Sequence, residues 1–246
     1  AATAYVTKNG YTDDIMTAFV FKTTDFGKTW RKITVGLPDS PVNVVVEDAR
    51  NPQLLFAGND IGVYVSLNGG ESWVPMKSNM PPVIVRDIII HPRENDLIVG
   101  TYGRGAWITD ISPLQQMTPE IESKEMHLFD IEPKPQMNFS QQATWGNYQM
   151  MGSNHLNTSN EPNGLEIWYY FGDNKKGDAL LTVNDENGRQ VFERKLKMVK
   201  GIGKIYWNTM RAEPGKYNIT LTAGDLKMTK TGIVTERWQW PVLNYR

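Results

Sequence analysis

The chain has 246 residues, 40% hydrophobic and 22% charged, with no cysteine and a net charge of −1. No apolar run approaches the roughly 18 residues of a membrane helix. The charge gives no footprint for nucleic acid, and zero cysteine excludes disulfide scaffolds, thiolate metal sites and cysteine nucleophiles. Length admits one large domain or two modest ones.

Along the chain, Ala1 to Gly10 shows neither the basic nor the apolar region of a signal peptide, so none is expected there. Tyr5-Val6-Thr7 reads as a strand. Thr24-Asp-Phe-Gly-Lys-Thr-Trp30 then recurs 43 residues later as Leu67-Asn-Gly-Gly-Glu-Ser-Trp73. The same offset carries Val42 to Val85, Leu54 to Leu97, Leu55 to Ile98, Gly62 to Gly105 and Ser66 to Thr109, so the repeat reads as gap-free from Thr23 to Asp110. Each unit reads as four short strands. In the central one these are Pro41 to Asp48, Leu54 to Gly58, Val63 to Leu67 and Ser72 to Lys77, with Asn68-Gly69-Gly70 as the hairpin signal. Four strands at this period is the arithmetic of a β-propeller blade.

The hairpin pattern is Ser/Thr-x-Asp-x-Gly-x-x-Trp, complete at Thr23 to Trp30 and carrying Asn for Asp at Ser66 to Trp73. The carboxylate or amide can accept hydrogen bonds from turn amides. Glycine takes a positive φ, and the indole covers the turn. Asp25, Gly27 and Trp30, with Asn68, Gly70 and Trp73, are therefore structural residues of the turns.

Phe21 to Pro113, with these hairpins, the phrase Gly62-Val-Tyr-Val-Ser66 and the stretch Gly100-Thr-Tyr-Gly-Arg-Gly-Ala-Trp-Ile-Thr-Asp-Ile-Ser-Pro113, resembles the bacterial proteins of the BNR or Asp-box repeat family, the sortilin-like "glycosyl hydrolases". The resemblance implies an exported propeller: secreted, periplasmic or at the cell surface. A closed propeller needs about 4–8 blades, and two to three are expected here. The remaining blades are thus expected on another chain or in a missing segment.

After Pro113 the texture changes. A segment from 114 to 163 is expected as linker and long loop, with a short helix at Thr118 to Ile121 and one strand at Met126 to Pro133; Trp145, Tyr148, Met150 and Met151 are its expected anchors. Strands then follow at Leu165 to Phe171, Ala179 to Asn184, Arg189 to Lys195, Gly203 to Asn208, Gly215 to Ala223 and Leu226 to Val234, all antiparallel in signal. Leu181-x-Val-x-Asp185-x-x-Gly188, Trp207 and Pro214-Gly215-x-Tyr217 resemble the Ig-like domain of flagellar hook-capping proteins and the type IX secretion sorting domain. The expected fold is all-β: a partial β-propeller over 1–113 and an Ig-like β-sandwich over 164–246.

Chemistry-bearing residues are sparse. His91, His127 and His155 lack metal-ligand spacing, and neither a metal nor a cofactor is expected. Loops joining second to third and fourth to first strands face the mouth of a propeller. Here they hold Asn59, Asp60, Tyr102 and Arg104, the ligand-binding candidates, with Asp39. Gly103 and Gly105 flank Arg104 and leave its guanidinium open to approach, or Arg104 locks onto a carboxylate of a neighbouring blade. Trp238 and Trp240 offer either a sugar platform or packing. No pair of catalytic carboxylates can be assigned, so whether the chain is an enzyme stays open. Two functions remain: a non-catalytic part of a propeller protein recognising a protein or glycan or serving surface assembly, or a piece of a glycoside hydrolase whose carboxylates lie on other blades.

Overall fold

The computed structural model describes residues 2–76, 79–136, 162–172 and 177–237. The expected anchors Trp145, Tyr148, Met150 and Met151, together with His155, Trp238 and Trp240, lie outside them. The chain forms two compact units, Ala1–Thr118 and Pro119–Arg246.

The first unit is a partial β-propeller of three antiparallel sheets. Blade 1 contains β1 (Ala4–Thr7), β2 (Val20–Thr23) and β3 (Arg31–Lys32). Blade 2 is the four-stranded meander β4 (Val42–Glu47), β5 (Leu55–Asn59), β6 (Val63–Ser66) and β7 (Val74–Pro75). Blade 3 holds β8 (Val85–Ile90), β9 (Asp96–Thr101) and β10 (Ala106–Asp110). β-branched residues fill β4 and β8, as pleated, half-buried strands favour.

Blade 2 is buried on both faces. Leu55, Ala57 and Tyr64 join Val20 and Ile33 of blade 1 in one apolar cluster. Leu54, Phe56, Val63 and Val65 join Val85, Ile88, Leu97 and Val99 of blade 3 in another. Blade-on-blade burial of this kind removes the core of each sheet from water on both sides.

The register corrects the gap-free repeat. Leu55 pairs with Glu47 and Ser66, whereas the residue paired with Ile90 and Thr109 is Leu97, not Ile98. The turn between β8 and β9 is one residue shorter than its counterpart, and the loop between β9 and β10 is one longer. A one-residue slip would turn every β9 side chain to the other face. The shift therefore keeps Leu97 and Val99, like Leu55 and Ala57, directed at the preceding blade. In blade 1, Ala4 pairs with Thr23 as Leu55 pairs with Ser66, so β1 is the counterpart of β5.

Helix α1 (Ser112–Gln116), not expected from sequence, has Pro113 in its first turn, where proline is tolerated. Gln115 donates to buried Asp48 at 2.6 Å and thereby fixes the helix to the first turn of blade 2.

The second unit starts with α2 (Pro119–Glu122) and packs two sheets on one core, a β-sandwich. One sheet orders β11 (Met126–Leu128), β13 (Leu165–Phe171) and β16 (Gly201–Trp207). The other runs β12 (Lys134–Pro135), β18 (Leu226–Thr235), β17 (Gly215–Ala223), β14 (Asp178–Asn184) and β15 (Gln190–Lys197). Leu165 and Ile167 from the first sheet meet Leu181, Ile219 and Leu221 from the second, and Trp207 packs edge-on against Tyr217 at 4.7 Å. β12 pairs parallel to β18, which departs from the expected all-antiparallel pattern.

Candidate ligand-binding mouth

The loops between second and third strands of the three blades are 8–19, 60–62 and 102–105, bounded by β1–β2, β5–β6 and β9–β10. Both first strands beside them carry a β-bulge. The register jumps between Val42 and Val44 and again between Val85 and Asp87. The extra residues are Asn43 and Arg86, at equivalent positions of blades 2 and 3. A bulge leaves one residue unpaired and re-aims its side chain, and both residues face this loop cluster.

Asn43 is the hub of a polar chain. Its Nδ2 donates to Asp60 Oδ1 at 2.9 Å and to the Val85 carbonyl at 2.9 Å, and its Oδ1 accepts from Asn9 Nδ2 at 2.6 Å. One side chain thus joins all three blades. Beside it a cavity of about 380 Å³ is lined by Asn9, Thr12, Asp60, Ile84 and Arg86. The Arg86 guanidinium stacks over the Tyr102 ring at 5.6 Å, a cation–π contact. Tyr102 is otherwise exposed, and its backbone N–H donates to Ile84 O at 2.8 Å.

The four candidates fare differently. Asp60 lines the cavity, and Tyr102 covers the arginine that lines it. Arg104 is exposed on the same loop as Tyr102, and its guanidinium meets no carboxylate among the described residues. Gly103 and Gly105 have φ of +82° and +69°, and a Cβ on either would meet nothing within 4 Å. The left-handed backbone at both positions favours glycine. Asn59 is fully buried, and its Oδ1 accepts from Ile61 and Gly62 N–H at 2.9 Å. Its carbonyl oxygen thus holds the loop from inside. Asp39 sits in the β3–β4 connection.

Sequence reasoning did not name Asn9, Asn43 or Arg86 among the candidates. The available signal was a polar residue at position two of two repeat-related first strands rich in β-branched residues.

The two turns are wired alike. Thr23 Oγ1 donates to Asp25 Oδ1 at 2.8 Å and accepts from Gly27 N–H at 3.0 Å, while Asp25 Oδ1 accepts from Thr29 N–H at 2.9 Å. Ser66, Asn68, Gly70 and Ser72 repeat these contacts at 2.8, 2.9 and 3.0 Å. Hydrogen bonds from the Thr29 backbone and hydroxyl, then from Thr23, hold the Asp25 carboxyl down at about 2.

Other titratable contacts lie away from the mouth. Tyr5 donates to Glu47 at the opposite end of β4; burial and then Glu47 push its phenol above the usual tyrosine range. His127 packs edge-on to Phe129 in the sandwich, and burial, then Lys124 and Lys230, lower its pKa. The His91 Nδ1 accepts from Glu94 N–H at 3.1 Å within a blade turn. A larger cavity of about 460 Å³ lies at the Asp185 hairpin of the second unit. Asp185 there is engaged by Asn187 and Arg189 N–H, and Glu186 by Lys216 N–H, which leaves less for a ligand. No group of three potential metal ligands occurs among the described residues. No helix among them is long and apolar enough to cross a membrane.

No family model matches the chain, and no curated protein matches it. Among solved structures it is similar to an ancestral GH74 enzyme, with TM-score 0.38 and 14% identity over 94% of this chain and 34% of that one. It is also similar to the GH74 xyloglucanase from Xanthomonas campestris, with TM-score 0.36 and 10% identity over 96% and 37%. The chain thus spans about a third of the length of these enzymes, and likeness at this level bears on neither substrate nor activity.

Proposed function

We propose that this chain is the binding part of an exported β-propeller protein and that its mouth takes a polar oligosaccharide. On this reading the two Thr/Ser–Asp/Asn hairpins are Asp-boxes with a purely structural role, and the sandwich is an Ig-like spacer or assembly domain. The observation that carries the reading is the mouth cavity itself. Its lining offers an amide, a hydroxyl, one carboxylate and one guanidinium stacked on a tyrosine. Neighbouring donors and acceptors of this sort match vicinal sugar hydroxyls, and an exposed aromatic face suits a sugar ring. Glycoside hydrolysis instead calls for two carboxylates about 5–9 Å apart across the bond, and the cavity presents Asp60 alone. Arg86 and Arg104, both without a carboxylate partner among the described residues, favour sugars that carry an acid group.

The test is titration of the protein with neutral and uronate-containing oligosaccharides, read by calorimetry and by amide shifts of the 60–62 and 102–105 loops. Binding of the acidic series is expected. Tyr102→Ala and Arg104→Ala should each weaken it about tenfold, or about 1.4 kcal/mol. Absence of loop shifts with every sugar would overturn the reading. Hydrolysis of the sugar by the whole protein would favour the glycoside hydrolase alternative.

A further inference from the structure

We infer that the mouth selects dipolar saccharides, in which a protonated amine and an acid group stand on the same or neighbouring sugar rings, and that Asp60 is the residue that selects them. This deepens the binding reading above and rests on it.

Two opposite charges share the mouth cavity without neutralising each other. Asp60 comes from the 60–62 loop of blade 2 and Arg86 from β8 of blade 3, and both line the space of about 380 Å³. No ion pair joins them. Each is held by another group. Asp60 Oδ1 accepts from Asn43 Nδ2 at 2.9 Å, and Asn43 is itself tied to the Val85 carbonyl and to Asn9. Arg86 occupies the bulge of β8, and its guanidinium lies over the Tyr102 ring at 5.6 Å. The rest of the lining, Asn9, Thr12 and Ile84, is uncharged. Asp13 and Asp14 of the 8–19 loop and Asp87 beside Arg86 are not part of it. The cavity therefore has one negative pole on blade 2 and one positive pole on blade 3.

A carboxylate and a guanidinium free to move in one cavity would close on each other as a bidentate pair. Their tethers keep them apart, so both poles are preorganised for a third party. Asn43 engages Oδ1 of Asp60, and Oδ2 meets no donor among the described residues.

The two poles set the chemistry of the ligand. A neutral sugar leaves both charges without a partner. A sugar with an acid group alone meets Arg86 but brings its anion into the field of Asp60, and like charges in one site select against such a ligand. A saccharide that also carries a protonated amine sets its ammonium on Asp60 Oδ2 and its acid on Arg86. Both contacts are then charge-assisted, the stronger class of hydrogen bond. The cavity lies at the small end of ligand pockets, so the two groups have to sit within about one disaccharide.

The test uses two disaccharides that differ at one group: glucosaminyl-glucuronate with a free amine, and its N-acetylated twin. Each is titrated calorimetrically into the protein at about pH 6, where amine and carboxylates are all charged. The free-amine form is expected to bind about tenfold tighter. Asp60→Asn keeps an acceptor for Asn43 and removes the charge, so its effect should differ in sign between the twins. Binding of the free amine should weaken about tenfold, whereas binding of the N-acetylated twin should strengthen by about twofold to threefold. A merely structural role for Asp60 would weaken both alike. Equal affinity of the twins for the unmodified protein, or parallel weakening by Asp60→Asn, would overturn the inference and leave the acid-sugar reading standing. Binding of neither twin would overturn both.

Discussion

Asp25 and Asn68 occupy the same place in two turns, yet only one of them titrates. Three oxygen and nitrogen partners converge on Asp25, and its carboxyl is held at about 2 against an ordinary value of 3.8. The folded state therefore binds its proton later than the unfolded chain does. Asp25 stabilises the turn fully above about pH 5, and this contribution fades as pH falls from about 4 toward 2. A carboxyl carbon titration by NMR should give a midpoint near 2; a midpoint near 4 would mean that the Thr29 and Thr23 hydrogen bonds do not persist in solution. Asp25→Asn should leave the turn wired as at Asn68 and abolish that part of the acid sensitivity. These turn residues were legible in the sequence because the pattern encodes contacts two and four residues apart. The burial of Asn59 was not legible for the converse reason: its Oδ1 partners are equally local, but its burial comes from sheets brought together across the fold.

At the scale of the element, strand type and order were legible and register was not. Apart from the strand expected at Met126 to Pro133, which ends at Leu128, the strands read from sequence fall within about two residues of those observed, because β-branched runs and Asn/Gly turns punctuate both units. The gap-free repeat failed at β9, where a deletion in one turn and an insertion in the next cancel in the numbering while moving a whole strand by one position. Sequence offset cannot see compensating changes of that kind; the face that must be buried can. The bulges at Asn43 and Arg86 were hidden for a related reason, since an extra residue on one strand exists only relative to its partner. The tight contact of β5 with β8 gives a test. Gly58→Ala drives a methyl into Val85, which is stiff at χ1, and is expected to cost about 1–3 kcal/mol in urea unfolding. Gly100→Ala, the counterpart on the open face, should stay within about 0.5 kcal/mol. Equal costs would mean that the two glycines do not stand in equivalent, differently covered positions.

At the scale of the whole molecule, the sequence showed that there were blades and how many, but not which faces they leave uncovered. That depends on which side of each strand meets a neighbour, and the β9 shift decides it. A stacked sheet with one apolar face in water carries an exposed patch of the kind that marks an interaction site. The physical consequence is asymmetric sensitivity to charge. Ile108→Asp places a carboxylate in solvent, so in the isolated chain it should leave the unfolding midpoint within about 0.5 kcal/mol and raise solubility. Val65→Asp puts the same group at the counterpart position inside the blade 2–blade 3 cluster, where an unpaired charge has neither water nor a partner. That variant should lose cooperative unfolding of the first unit altogether. Circular dichroism melts and sedimentation of the two variants side by side make the comparison. If Ile108→Asp is as damaging as Val65→Asp, the outer face of blade 3 is already covered within this chain and is not open to a partner.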